Sequence, residues 1–427
     1  MSGFTELLRG NRNYRFTWTG QVVSEVGDHY NNVAVFALAL ANTGSGLVVA
    51  GILISRAICA VIAGPIAGVL LDRMDRKRIM IISDLVRASI AIAFIFGIPQ
   101  GRTSLLYVLS GALMFASPFF SSGRASILPT IATRHELHSA NSLTQLTQWT
   151  TLTLGSFLGG TSVSQFGYKL AFLFNAFSFL FSAWCISRLH VESGFRAQRS
   201  DMVVLRPWRE YTEGLRYMKS SPLILGIGLV AVGWATGGGA AQILFSVFGE
   251  VVFHRGATGI GIIWGSAGIG LIIGALVAHR IGRTISFENY KRLISISYVI
   301  HGGSYVLFSQ AKTFGWALFF IGLSRAAVAV SSVLNVTQQL RHVSDEFRGR
   351  VFATIESWNW MTMMLSMAVA GLASTHVSPR IIGAWAGVFS SSTAVFWAWA
   401  NWTGRLPEPE LSDVDPDDVD VRDDPTV

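Results

Sequence analysis

The sequence predicts an all-α membrane protein, with twelve transmembrane helices in two six-helix repeats and with both termini in the cytoplasm. Three features support this prediction: the composition, the lengths of the apolar runs and the placement of the basic residues. Of the 427 residues, 51% are hydrophobic and 14% are charged, whereas about 25% of the residues in a soluble globular domain are charged. The composition therefore excludes a water-soluble enzyme, a disordered chain and a small scaffold held by disulfides.

Apolar runs of membrane length recur along the whole chain. Because the hydrocarbon core of a bilayer is about 30 Å thick, a crossing helix needs about 20 mainly apolar residues. A large soluble all-α protein with buried helices is the alternative, but it does not account for so many runs of this length. The twelve predicted spans are 14–40, 46–71, 79–98, 104–123, 140–164, 168–188, 222–246, 257–278, 293–311, 313–338, 351–375 and 379–403.

The basic residues predict the orientation. Of the 33 Lys and Arg residues, 25 lie in, or within two residues of, the segments on the same side as the N-terminus, and five lie in segments on the other side. The remaining three, Arg56, Arg87 and Arg325, lie within spans. Since cytoplasmic loops are enriched in Lys and Arg, both termini are expected in the cytoplasm. An even number of spans agrees with this orientation.

The chain contains an internal repeat of about 210 residues. Segment 68–78, which ends span two, is similar to segment 274–283, which ends span eight and begins 206 residues later. Glu136 after span four and Glu346 after span ten are 210 residues apart. Two similar halves arranged as parallel repeats enclose a polar site near the middle of the membrane.

Four segments make up the predicted organisation: an N-terminal half (1–188), a cytoplasmic linker (189–221), a C-terminal half (222–403) and an acidic tail (404–427). Apolar residues three or four apart in the second half of the linker predict an amphipathic helix, which either lies on the membrane surface or serves as a plain connection. The tail is rich in Asp and Pro, which predicts a disordered, solvated segment. A regulatory role is the alternative for the tail.

The loop after span two resembles the signature loop of the major facilitator superfamily. It reads Gly68-Val-Leu-Leu-Asp72-Arg73-Met-Asp75-Arg76-Lys77-Arg78, with Asp75 in place of the usual glycine. The resemblance extends from about residue 10 to residue 403 and implies the fold of that family and secondary active transport. Phrases that resemble its enterobactin-exporter and macrolide-efflux branch are Gly20-Gln21 and Gly27-Asp28 in span one, Asp84-Leu-Val-Arg87 in span three, and Asp345-Glu-Phe-Arg348-Gly-Arg350 before span eleven.

Span five resembles the antiporter motif of the same family. Its segment Gly155-Ser156-Phe-Leu-Gly159-Gly160 has Ser156 where the motif has proline. This departure weakens the inference of export from span five.

The resemblance also implies a latch on the cytoplasmic side. In the family, the acid equivalent to Asp72 meets the N-terminus of span eleven and nearby arginines, and a helix N-terminus favours an anion. We expect such a latch to hold the two halves together when the central cavity faces outward; a positive-inside anchor alone is the alternative. The predicted latch consists of Gly68, Asp72, Arg73, Arg76, Arg124, Arg348 and Arg350.

Span one carries two acids that are candidates for proton coupling. Glu25 and Asp28 are three residues apart and therefore lie on one face of a helix. The hairpin between spans one and two turns near residue 43 or 44, so Arg56 lies about 4.5 Å in depth from the level of Asp28. An Asp28–Arg56 pair is expected within the membrane. The pair is either permanently ionised and structural, or broken when Asp28 is protonated.

Three other charged positions have a local interpretation and a functional one. Asp84 and Arg87 in span three are expected to form a local ion pair, and Glu356 in span eleven is expected to be a polar anchor on the cytoplasmic side. Each could instead carry a proton. Arg325, in the middle of span ten, has no acid of its own half at the same depth, since Glu356 is about 10 Å away. Arg325 is therefore expected to face water, a partner from the other half or an anionic substrate.

A stripe of Trp and Met in span eleven is a candidate wall of the substrate cavity. Trp360, Met363, Met364 and Met367 lie at helical spacing on one face. Flexible Met and flat Trp side chains suit a promiscuous apolar cavity. Simple helix packing is the alternative, as it is for the Gly64-x-x-x-Gly68 and Gly270-x-x-x-Gly274 motifs.

The expected function is proton-coupled export of an amphipathic small molecule, such as a siderophore, a macrolide or another drug-like compound, across a bacterial cytoplasmic membrane. Import or lipid flipping on the same fold is the alternative; a membrane-embedded enzyme is the rival class. No catalytic or metal site is expected, because His135-Glu136-Leu137-His138 is one residue too short for a zinc motif. No cofactor is expected beyond a proton gradient. The expected partners are the bilayer and a small-molecule substrate, with no nucleic acid, and the protein is expected to be a monomer.

Overall fold

The chain folds into long helices that lie side by side. The computed structural model describes residues 2–99, 102–190, 207–282 and 284–408. The helices are α1 (Ser2–Gly10), α2 (Arg12–Thr43), α3 (Gly46–Arg73), α4 (Arg76–Ala93, continued by a 3₁₀ turn over Phe94–Gly97), α5 (Thr103–Ile131), α6 (Arg134–Phe166), α7 (Tyr168–Ser187), α8 (Pro207–Ser220), α9 (Pro222–Val247, continued by a π-helical turn over Phe248–Val252), α10 (Gly256–Gly282), α11 (Phe287–Gln310), α12 (Phe314–His342), α13 (Asp345–Ala373) and α14 (Pro379–Trp402).

Each of the twelve predicted spans overlaps one long helix. Within the described residues, eight helices are long and apolar enough to cross a membrane: α3, α4 with its 3₁₀ turn, α5, α7, α9 with its π turn, α10, α12 and α14. The protein is therefore a multi-pass membrane protein. The four remaining long helices, α2, α6, α11 and α13, carry more polar residues.

The helix ends are set by caps that lie outside the apolar runs. Helix α6 begins six residues before its predicted span, because the Thr133 hydroxyl accepts the backbone N–H of Glu136 and Glu136 accepts the backbone N–H of Thr133. Hydrogen bonds from Thr133 and Asn11 hold the pKa of the Glu136 carboxyl below its usual range. Helix α2 ends at Gly44, whose φ of 63° lies in the left-handed region that glycine adopts without strain.

The two halves have the same helix arrangement. Helix α3 begins at Gly46 and α10 at Gly256, 210 residues later, and similar offsets relate the other five pairs. Inside the N-terminal half, α2 packs on α6 and α7, and α5 packs on α3 and α4. Inside the C-terminal half, the equivalent helices make the equivalent contacts: α9 packs on α13 and α14, and α12 packs on α10 and α11.

The halves meet at one end of the bundle. We call the end where α2 begins and α3 finishes the basic end, and the end where α2 finishes and α3 begins the opposite end. One core cluster at the opposite end joins both halves, including Phe36 and Phe172 with Phe245 and Phe248. Toward the basic end each half has a separate cluster of its own. The space between the halves therefore widens toward the basic end.

Close helix contacts close the opposite end. A Cβ atom at Gly160 of α6 would lie 2.6 Å from the carbonyl oxygen of Ala257 and 2.9 Å from the Cα of Gly261, both on α10. On the other side, a Cβ at Gly46 of α3 would lie 3.2 Å from the Cβ of Ser374, at the end of α13. The pairs α6–α10 and α3–α13 are equivalent under the repeat, so the two halves touch in a symmetric way.

Helix α8 packs on the C-terminal half. Met218 is fully buried, the Tyr217 ring stacks on Phe347 with centroids 4.9 Å apart, and Trp358 donates to the Tyr211 hydroxyl at 2.9 Å. The expected membrane-surface helix is thus a helix covered by α13. The expected boundary of the tail also shifts: Leu406 is 4% exposed, and its carbonyl accepts from Lys291. Residues 409–427 of the predicted tail and 191–206 of the predicted linker lie outside the described residues.

Candidate functional site

A charged cavity of about 320 Å³ lies within the N-terminal half. It is bounded by α2 through α6, on the basic-end side of the contacts that close the opposite end. Its charged lining residues are Glu25, Asp28, Arg56, Arg87 and Arg124, and its polar ones include Gln21, Asn32, Ser110 and Gln148. Helix α2 therefore contributes four polar residues at spacings of three or four, which places them on one face.

Glu25 is held in a chain of hydrogen bonds. Arg124 donates to the amide oxygen of Gln21 at 2.9 Å, and the amide nitrogen of Gln21 donates to Glu25 at 2.7 Å. The Thr151 hydroxyl donates to the other oxygen of Glu25 at 2.8 Å. The structure thus places Arg124 in this cavity and away from the predicted latch, because α5 continues for seven residues beyond it to Ile131.

Asp28 and Arg56 line the same cavity without forming the expected direct pair. Arg56 donates to Asn32 at 2.7 Å and to Ser110 at 3.4 Å. Asn32 lies one turn along α2 from Asp28, and it takes the position facing the guanidinium. Within the described residues, the Asp28 carboxylate accepts no hydrogen bond and makes no ion pair shorter than 4 Å.

Asp84 and Arg87 form the local ion pair expected from their spacing on α4. The Asp84 side chain is fully buried, and that of Arg87 is 4% exposed. The Arg87 guanidinium lies between the rings of Phe120 and Phe179, at 4.6 and 4.4 Å from their centroids. Arg87 thus contributes to the cavity wall while neutralising Asp84.

A second cavity, of about 190 Å³, lies in the C-terminal half. Glu356 lines it, together with the amides of Asn335, Gln339 and Asn359 and the rings of Trp234 and Tyr298. The sequence analysis missed these amides, although Asn335 and Gln339 are four residues apart and so share a face of α12.

The residues expected to form the substrate cavity are not brought together. Met363 and Met367 are buried in the contact between α13 and α9, which matches the packing interpretation. Trp360 is half exposed, and Met364 is partly buried. Arg325 lies apart from this stripe: it is 9% exposed, and its guanidinium is 4.9 Å from the ring centroid of Phe245.

The predicted latch residues are dispersed in this conformation. Arg350 pairs with Glu213 of α8 at 3.3 Å, Arg348 donates to the carbonyl of Leu340, and Arg76 donates to the carbonyl of Ser126. Arg73 is exposed, and a Cβ at Gly68 would have no neighbour within 4 Å. The side chain of Asp72 lies outside the described part. Within that part, none of the contacts of these residues joins the two halves at the basic end.

The basic-end loops also hold the short histidine motif. Glu136 in this motif serves as a helix cap and accepts from Asn11 at 3.2 Å. The described residues contain no group of three His, Cys, Asp or Glu placed to hold a metal ion.

Curated relatives of this chain are bacterial transporters. It is 24% identical over 380 residues to the uncharacterized MFS-type transporter YfiS of Bacillus subtilis, covering 86% of this chain and 88% of that protein. It is 25% identical to the putative bacilysin exporter BacE of Bacillus subtilis, covering 87% and 90% of the two chains. Macrolide efflux protein A of Streptococcus pyogenes is 22% identical, with 85% and 89% covered.

Solved structures share the fold. A bacterial homologue of the iron transporter ferroportin, in an inward-facing state, superposes with a TM-score of 0.69 at 16% identity, covering 91% of this chain and 98% of that one. A bacterial homologue of the lysosomal transporter Spinster gives a TM-score of 0.69 at 13% identity, with 92% and 97% covered. The model of the Major Facilitator Superfamily matches residues 17–343. With its repeated six-helix halves and the cavities inside them, this chain belongs to the major facilitator superfamily and is a transporter, not an enzyme.

Proposed function

We propose that this transporter exports an amphipathic small molecule from a bacterial cytoplasm in exchange for protons. The observation that carries the proposal is the charged cavity of the N-terminal half, with Glu25 and Asp28 on one face of α2 opposite three arginines. An ionisable residue within a membrane helix is a functional candidate because placing its charge in hydrocarbon is unfavourable. Here the acids face an internal cavity, where protons and substrate can reach them.

Twelve crossings and cytoplasmic termini are part of this proposal. The long helices that are less apolar, α2, α6, α11 and α13, each contribute side chains to one of the two cavities, such as Glu25, Gln148, Tyr298 and Glu356. Cavity-facing polar residues lower the mean hydropathy of a helix that still crosses the bilayer. With the basic end in the cytoplasm, the conformation described here is open to the cytoplasm and closed to the outside.

Asp28 is the better placed of the two acids to exchange a proton with the cavity. Glu25 accepts hydrogen bonds from Gln21 and Thr151, which would be weakened on protonation. Asp28 has no such bonds among the described residues, and it lies near a cationic centre, Arg56, that remains charged. Protonation of Asp28 would leave that positive charge uncompensated and favour a different arrangement of α2 and α3.

The substrate class follows from the relatives and from the cavities together. Relatives are named as exporters of bacilysin and macrolides, and the branch resembled by the sequence includes siderophore exporters. One cavity is charged and the other combines amides with aromatic rings, which suits a molecule with polar and apolar parts. The proposed transporter acts as a monomer and needs no cofactor beyond the proton gradient.

A latch at the basic end would stabilise the alternative state. Helices α3 and α13 run antiparallel, with Gly46 beside Ser374 and Leu47 beside Gly371. Because both helices rise equally per residue, continuing this register brings Asp72 level with Arg348. We propose that Asp72 meets the N-terminal turn of α13 when the basic end closes, since that turn favours an anion.

The first test compares spent medium from cells that express the wild type, Asp28→Asn or Glu408→Gln by untargeted mass spectrometry. Glu408→Gln is the control, because it removes one acidic charge outside the helices. A compound enriched outside by the wild type and the control, but not by Asp28→Asn, would establish export and identify the substrate. Equal enrichment by all three would remove Asp28 from the mechanism.

A second assay separates export from the alternatives. With the identified compound in inside-out vesicles, an imposed pH gradient should drive uptake into the vesicles by the wild type and not by Asp28→Asn. Uptake that ignores the gradient would contradict proton coupling. Movement of labelled lipid alone would instead indicate a flippase.

A further inference from the structure

Buried hydrogen-bond donors cluster in the C-terminal half, away from the charged cavity. Trp234 of α9, His301 and Tyr305 of α11, and Arg325 of α12 line one closed pocket. His301 is 3% exposed, Tyr305 is 2% exposed and Arg325 is 9% exposed. The sequence analysis singled out only Arg325 of these four residues.

Each of these side chains has a polar atom without a partner. Within the described residues, Trp234 Nε1, His301 Nε2, Tyr305 Oη and Arg325 Nε make no hydrogen bond. His301 Nδ1 lies 2.8 Å from the Ser324 hydroxyl. If that hydroxyl donates to Nδ1, then Nε2 carries the ring proton and is a donor. All four orphaned atoms can then donate.

The charge of the cluster is also uncompensated. The residues that line the pocket include no Asp or Glu, and Arg325 remains protonated under all ordinary conditions. A buried charge and buried donors without partners are unfavourable unless an acceptor of opposite charge completes them. The missing group is therefore an anion with several acceptor sites.

Trp234 separates this cluster from an accessible space. Its side chain lines both the closed pocket and the second cavity. Tyr298 also lines the second cavity, and its ring centroid is 6.1 Å from that of His301. The closed pocket has no free volume for a water molecule. A ligand in the second cavity thus reaches the donors only when the Trp234 indole moves aside.

We propose that His301, Tyr305 and Arg325 bind the carboxylate of the transported compound after Trp234 moves. This proposal rests on the chain acting as a small-molecule transporter, and it assigns a carboxylate to the substrate. A planar guanidinium matches a planar carboxylate through paired hydrogen bonds. The rings of Trp234, Tyr298 and Phe245 provide an aromatic surface for an apolar body attached to that carboxylate.

Equilibrium dialysis of the full-length protein in detergent tests this site. The probe is labelled benzoate, with benzyl alcohol as its neutral counterpart and chloride as the inorganic anion. We expect saturable benzoate binding by the wild type and no comparable binding of benzyl alcohol. Arg325→Gln should weaken benzoate binding by about tenfold or more, as expected when a charge-assisted hydrogen bond is lost. Tyr305→Phe, which keeps charge and shape, should weaken it less.

The matched control is Arg405→Gln. Arg405 also lies over an aromatic ring, 4.4 Å from the centroid of Trp399, but it is exposed and far along the chain from the cluster. It should bind benzoate like the wild type. If Arg325→Gln does not purify as a folded protein, Tyr305→Phe and Arg325→Lys decide the question.

Several results would overturn the proposal. They are the absence of benzoate binding by the wild type, unchanged binding by the folded cluster variants, and displacement of benzoate by chloride as effectively as by unlabelled benzoate, which would indicate an inorganic-anion site. The assay uses no gradient. Failure of the export experiments with intact benzoate binding would therefore contradict only the proposed function.

Discussion

At the scale of single residues, the chain offers a matched pair of ion pairs with the same spacing. Asp84–Arg87 is buried, and Asp75–Arg78 is exposed, with side-chain exposures of 47% and 82%. Arg87→Gln should destabilise the protein by about 3–5 kcal/mol, because it leaves a buried carboxylate without its partner. Arg78→Gln should change stability by less than about 1 kcal/mol. Thermal unfolding of the purified variants, followed by circular dichroism, measures both.

A companion variant identifies the cause of the Arg87 effect. The double change Asp84→Asn with Arg87→Gln removes the unpaired charge and should recover part of the lost stability. If the double variant is as unstable as Arg87→Gln alone, the loss comes from the packing of Arg87 between Phe120 and Phe179.

The same residues show what the sequence can and cannot predict about a site. The Asp84–Arg87 pair was predictable because both residues lie on one helix, where spacing fixes distance. The Asp28–Arg56 pair was not, since counting residues through a hairpin gives depth but not the rotation of each helix. Asn32, one turn from Asp28, has the rotation that faces Arg56. Tyr305 and His301 were missed because their spacing on α11 is typical of ordinary packing.

At the scale of helices, apolar length predicts the elements, and capping residues set their ends. The spans of α3 and α9 were predicted to within two residues, whereas α6 and α13 begin six residues earlier than predicted, because polar turns precede their apolar runs. Contacts between elements were less predictable. Gly270 and Gly274 pack closely on α12, as their spacing indicates, whereas a Cβ at Gly64 or Gly68 would meet nothing within 4 Å.

The α6–α10 contact provides a prediction at this scale. Gly160→Ala would place a methyl group against backbone atoms of Ala257 and Gly261, so these helices must separate. Overpacking of this kind costs about 1–3 kcal/mol, and here the penalty applies only while the opposite end is closed. Gly160→Ala should therefore favour the conformation that is open at the opposite end.

Labelling of a buried cysteine reports this shift. Val247→Cys serves as the reporter in a background with Cys59 and Cys185 replaced by Ser, because Val247 is 4% exposed and lies beside Gly46 of the other half. Gly160→Ala should increase its maleimide labelling several-fold. Gly303→Ala, at a helix glycine with open space around it, should not. Equal labelling in both would show that the α6–α10 contact does not control closure.

At the scale of the whole molecule, the symmetric contacts α3–α13 and α6–α10 act as one closure at the opposite end. The separate core clusters of the two halves allow each half to move as a unit, since little packing joins them at the basic end. The repeat in the sequence predicted these halves. The sequence did not predict which end is closed, because two conformations of nearly equal free energy share one sequence.

Cross-linking can lock this closure and test the proposed latch together. The Cβ positions of Gly46→Cys and Ser374→Cys would be 3.2 Å apart, near the range of disulfides. Oxidation in the cysteine-free background should hold the opposite end closed and stop transport, and reduction should restore it. Asp72→Ala removes the latch that competes with this conformation, so it should speed cross-linking, whereas Glu408→Ala should not. Full transport by the cross-linked protein would contradict alternating access through this contact. An unchanged cross-linking rate in Asp72→Ala would leave Asp72 without a role in the balance between the two states.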